Sequence, residues 1–108
     1  MRTAVPFALA AALLGAACTT TPPQEIDEAE LALRDAETSG AAERAPQDLA
    51  LARQKLERAR RAAREDDVDR ARRLAAEATV DAQLAEVRAE ADAAATSRLE
   101  IERRLRPR

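Results

Sequence analysis

The sequence predicts an all-α protein: an antiparallel helical hairpin or three-helix bundle with a long, partly overhanging C-terminal helix, preceded by a signal peptide. Three observations lead there. Residues 18–108 contain 22 Ala, 16 Arg, 12 Glu and 9 Leu, a composition that with helical periodicity indicates long helices or coiled coil. Apolar residues recur at steps of three and four through most of that stretch. Between Gly40 and Pro107 the only interruptions are Pro46 and the acidic run Glu65-Asp66-Asp67.

The amino-terminal stretch decides location. Arg2 and the free amino group give a positive start, and residues 5–17 form an apolar core ending in the small residues Gly15, Ala16 and Ala17. Cys18 follows, the only cysteine of the chain. That is the layout of a secretory signal. The run is shorter than the ~20 apolar residues a membrane-spanning helix requires, and it carries Pro6. Cleavage between Ala17 and Cys18 is therefore expected, with residues 18–24 as tether and 25–106 as helical domain. The segment Leu14-Gly15-Ala16-Ala17-Cys18 resembles a bacterial lipobox, in which the cysteine is acylated. It departs from that pattern at Gly15, where a large aliphatic residue is usual. Ordinary signal peptidase accepts the same small residues, and its cut would leave a free thiol. A single acyl chain binds a bilayer with a constant of roughly 10⁴ M⁻¹, whereas two or more chains anchor stably. Thr19 after the cysteine, by analogy with known sorting, points to the outer membrane and its periplasmic face.

Composition excludes several classes of function. Residues 18–108 hold 17 basic against 20 acidic side chains, too near neutral for a nucleic-acid partner. They contain no His, Trp, Tyr, Phe or Met. Histidine catalysis is impossible, and the carboxylates alternate with Arg on helix faces too solvated to perturb an acid–base pair. No enzyme activity, small-molecule substrate, cofactor or metal is expected. Asp66, Asp67 and Asp69 lack the spacing of a calcium loop, and capping is the better account of them. The covalent lipid on Cys18 is the one non-protein group anticipated.

Taken in order, Thr21 is placed to cap the first helix, with Pro22 in its first turn and Gln24 completing a capping box. Glu25, Asp27, Glu28 and Glu30 suit the positive end of the helix dipole. Ile26, Ala29, Leu33 and Ala36 form the inner stripe to about Ser39. Gly40 supplies a left-handed stop, and residues 41–45 a short connection. Pro46 starts the second helix, whose stripe is Leu49, Ala52, Leu56, Ala59 and Ala63. Residues 24–43 carry seven acids and one Arg, residues 47–64 six bases and two acids. This complementarity favours a hairpin and accounts for most of the basic run Arg58, Arg60, Arg61, Arg64, Arg70, Arg72 and Arg73. Asp66 or Asp67 caps the third helix. Val68, Ala71, Ala75, Ala78, Ala82, Ala85 and Ala89 give it an alanine face, and Pro107 ends it.

Length gives the functional expectation. A helix over 68–105 spans ~57 Å, while 47–65 spans ~28 Å. Residues 84–105 are left overhanging, with Leu84, Val87, Ala91, Ala94, Ile101 and Leu105 as a stripe interrupted by Arg98. This stripe is the candidate partner-binding surface, for self-association or for an envelope protein. If Cys18 sits at the membrane, the alternating helices direct the basic tip, Arg98, Arg103, Arg104, Arg106 and Arg108, away from it and toward the cell wall. Non-covalent peptidoglycan contact is one use for such a tip.

Residues 40–60, GAAERAPQDLALARQKLERAR, and 71–86, ARRLAAEATVDAQLAE, resemble the bacterial lipoprotein family named domain of unknown function 4398. The Gly-Ala turn, Ala45-Pro46, the run Leu49, Ala52, Lys55 and Leu56, Leu74-Ala75 and residues 81–85 carry the likeness, over about residues 25–90. Val68 stands where that family often has an aromatic residue. The resemblance implies a surface-tethered helical module with no assigned activity. A second resemblance is to the small murein lipoproteins, helical trimers joined to peptidoglycan through a terminal lysine. Lys55 is the only lysine, so covalent attachment by that route is not expected.

Overall fold

The computed structural model describes residues 21–108, together with Thr3. Among the described residues the chain is all-α: α1 Gln24–Thr38, α2 Ala41–Arg44, α3 Pro46–Arg64 and α4 Val68–Leu105. The bounds of α4 follow from its ends. Asp67 is the N-cap residue, and its Oδ1 accepts from the Arg70 amide at 3.3 Å, so one of the four unpaired first-turn donors is satisfied. At the far end Pro107 cannot continue the helix.

Several local expectations are corrected. Thr21 does not cap α1 and Pro22 is not in its first turn; Pro23 is the N-cap residue and makes no side-chain cap bond. The Gln24 amide donates to Glu28 Oε1 at 2.9 Å instead of closing a capping box. The reason is local: Pro23 at φ −55° and ψ 138° is already the extended residue an N-cap requires, so the helix starts two residues later. Gly40 is left-handed as expected, φ 83°. Its carbonyl then accepts from both Glu43 and Arg44 amides, and residues 41–44 wind into a helical turn rather than a simple connection.

The turn between α3 and α4 is closed by the backbone. The Asp67 amide donates to Ala62 O at 2.9 Å and the Asp66 amide to Ala63 O at 3.2 Å, the paired bonds of a Schellman stop. Asp66 occupies the left-handed position, φ 59°, where glycine is the commoner occupant and a short polar side chain is tolerated.

One contiguous core joins the four helices. Ile26, Ala29, Leu33 and Ala36 from α1, Ala41 from α2, and Leu49, Ala52, Leu56 and Ala59 from α3 close on the alanines of α4. On α4 the expected face is buried, with Ala71, Ala75, Ala78, Ala82, Ala85 and Ala89 fully covered and Leu74 added to it. Small side chains on a contact face let helix axes come near the short end of the usual ~8–10 Å separation. Two stripe positions differ from expectation: Val68 is exposed, and Ala63 is only half-buried while Ala62 beside it is buried. Both lie where the chain reverses, next to the stop that ends α3.

Ion pairs fix the directions. Asp48 meets Arg88 at 2.7 Å, and Lys55 meets Asp81 at 2.8 Å and Glu77 at 3.5 Å, so α3 and α4 run antiparallel. Glu25 at the start of α1 lies 3.7 Å from Arg72, near the start of α4. Later in α1, Leu31, Ala32 and Asp35 border a shallow groove with Thr79, Gln83 and Glu86 of α4. Those two helices therefore run the same way.

Candidate functional site

Three surfaces are candidates: the acylation position, the groove where the tether enters, and the outer face of α4. Ala17 and Cys18 lie outside the described residues. The first described link to them is at residues 21–23, which join α1 beside the α3–α4 turn. There a groove of about 440 Å³ is bordered by Pro22, Ile26, Arg60, Arg64 and Asp66 among others. Arg60 spans it, donating to Glu30 Oε1 at 2.6 Å and to Glu57. The contact with Glu30 first, and that with Glu57, hold its guanidinium further above the ordinary arginine range, so this cation is committed to the fold.

The basic run around that turn is paired less than expected. Arg60 and Arg72 reach α1 through Glu30 and Glu25. Arg58, Arg61, Arg64, Arg70 and Arg73 make no ion pair among the described residues and are exposed. The net charge of α1 is opposite in sign to that of α3, but only one side of each helix faces the other. Glu30 and Glu37 lie on the α3-facing side of α1, where they meet Arg60 and, at 2.5 Å, Arg53, whereas Glu25 turns toward Arg72 of α4.

The overhang also differs from expectation. Residues 84–92 are not without partners: Ala85 and Ala89 are buried, and Arg44 of α2 reaches Asp92 at 2.7 Å. The helical turn of α2 and the end of α1 extend the packed region beyond the length of α3 alone. From residue 94 to 108 every residue is exposed, so the free segment, residues 93–105, is ~20 Å of helix. The basic tip lies on it. Arg104 pairs with Glu100 at 2.5 Å, and Arg98, Arg103, Arg106 and Arg108 form no ion pair among the described residues.

The candidate docking residues are exposed whether they lie beside the core or beyond it. Leu84 is 39%, Val87 61%, Ile101 57% and Leu105 77% accessible, and Ala91 is also exposed. Two members of this outer surface escaped the sequence reading. Val80, 62% accessible, continues the three-four spacing one step back from Leu84. Leu51 of α3 is exposed as well; it lies between Asp48 and Lys55, level with Leu84 between Arg88 and Asp81.

Among the described residues no group of three His, Cys, Asp or Glu is placed to hold a metal ion. No helix among them is long and apolar enough to cross a membrane. What fold and surface define is an all-α protein with an alanine core and an aliphatic outer face on its longest helix. The chain belongs to the family described as Domain of unknown function (DUF4398), whose model matches residues 24–101. No curated protein and no solved structure matches the chain.

Proposed function

We propose that this protein is a non-catalytic lipoprotein of the bacterial envelope, a three-helix bundle tethered through an acylated Cys18 to the periplasmic face of the outer membrane. The observation that carries the reading is the lone cysteine directly after an uncharged segment that ends in Gly15-Ala16-Ala17. Cleavage before Cys18 leaves a short polar tether, and two or more acyl chains there supply the apolar surface needed for stable anchoring. Its work is contact rather than chemistry. The outer face of α4 offers aliphatic side chains to another helix, and the basic tip at residues 98–108 offers cations to an acidic surface such as the cell wall.

Two experiments test this. Detergent-phase partition of the expressed protein should place the wild type with membranes and Cys18→Ser in the aqueous phase; an unchanged distribution contradicts the anchor. A photo-crosslinker in place of Val87 should give one defined adduct in intact envelopes, while the same group in place of Gln54, exposed on the far side of α3, should give none. Equal labelling from both positions would remove the claim for α4.

A further inference from the structure

α4 carries a second seam that no described helix covers. Val80, Leu84, Val87, Ala91, Ala94, Arg98, Ile101 and Leu105 recur at alternating steps of four and three, the spacing of a coiled-coil seam. All of them are exposed. They follow the core alanines by two residues, as Leu84 follows Ala82 and Val87 follows Ala85, which places them roughly 200° around the helix from the core.

We propose that a second copy of this chain occupies this seam, running antiparallel. The inference rests on the reading of the outer face of α4 as the docking surface, and it commits that surface to one partner. Two observations select the partner and its direction. The first is the order of sizes, which is nearly the same from either end. With the two helices opposed, Val80 meets Leu105 of the second copy and Leu84 meets Ile101. Ala91 meets Ala94 at the centre, where small residues bring the axes together. Val87 meets Arg98, whose aliphatic stem can cover the valine while its charged end stays wet.

The second observation is charge. Residues 77–92 carry Glu77, Asp81, Glu86, Glu90 and Asp92 against Arg88 alone, whereas residues 98–108 carry five Arg against Glu100 and Glu102. Antiparallel pairing sets each acidic half against a basic one. A parallel pair sets like against like and places Arg98 on Arg98. In the antiparallel register Arg98 falls between Glu86 and Glu90 of the second copy. Those two carboxylates have no cationic partner among the described residues of their own chain, and neither has Arg98.

Disulfide trapping tests the arrangement on purified chain carrying Cys18→Ser, with Leu84→Cys and Ile101→Cys on separate, differently tagged copies. Both sites are exposed, so the substitutions leave the core alone, and circular dichroism checks that helicity is kept. Mixed copies should crosslink on mild oxidation, and either variant alone should not. In a parallel pair these positions lie ~25 Å apart along the axis, beyond the ~7 Å Cα limit of a disulfide. Arg98→Glu should weaken association by at least tenfold, and Glu86→Arg with Glu90→Arg in the same chain should restore it. Crosslinking of either variant with itself would overturn the antiparallel register. A wild-type mass that stays monomeric at every concentration in sedimentation, with no mixed disulfide, would overturn self-pairing altogether. In that case the adduct from Val87 in envelopes still decides whether α4 docks something else.

Discussion

Among the described residues Leu49 is the most completely buried large side chain, at 1% accessible, followed by Leu56 at 3% and Ile26 at 4%. Such a side chain weighs heavily in a core made mostly of alanine. Leu49→Ala should destabilise the fold by ~2–5 kcal/mol, read as a shift of the urea midpoint at unchanged slope. Asp67 has a separate, local task, and Asp67→Ala should cost ~1 kcal/mol through loss of the cap on α4. Lys55 is tied to pH. Its pKa is raised above the ordinary lysine value, first by its hydrogen bond to Asp81, with Glu77 adding to the effect. A folded-state pKa above the unfolded one gives stability that is present below the unfolded value and lost as pH rises through the folded one. Thermal melts of wild type and Lys55→Gln should thus differ by a constant amount through neutral pH and converge only in the alkaline range above the ordinary lysine titration. A difference that vanished already at neutral pH would show that the pair contributes nothing.

At the scale of elements, α4 was the most legible part of the sequence. Asp67 at one end and Pro107 at the other mark boundaries that backbone chemistry enforces, and the alanine spacing named its buried face. Other features depended on geometry that composition does not carry. The helical turn of α2 arises because Gly40 both ends α1 and offers its carbonyl to the next turn, and it moves the start of the free segment from residue 84 to 93. The pairing of the arginines depends on rotation about each helix axis, so charge counts of opposite sign overstated how many would be neutralised. The alanine face has a direct consequence. Ala78→Leu places a large side chain where two helices close on a fully buried methyl group, and should destabilise by ~1–3 kcal/mol through overpacking. The free end has another: a lone helix shorter than ~12–15 residues is marginal in water. Amide exchange in residues 93–105 should be fast in dilute protein and slow by at least tenfold as the chain associates. Slow exchange at every dilution would mean that this end is held by something other than a partner.

For the whole molecule, a thin core and an aliphatic outer face point the same way. Large apolar side chains are few, and Leu84, Val87, Ile101 and Leu105 lie on an exposed surface rather than in the interior, which is the surface the proposed contact would use. The proposed anchor would set where that contact takes place, and its residues are the part of the candidate site that was legible only as a sequence pattern. Cys18 is singled out by its position behind the apolar segment, the outer face of α4 by its spacing and its exposure. Whether the chain works from a membrane through an acylated cysteine is read from the intact mass of the mature protein extracted from membranes. That mass should correspond to a chain that begins at residue 18 and carries two or three acyl groups. A chain that begins at residue 18 with an unmodified thiol, or one that retains residues 1–17, would contradict the anchor.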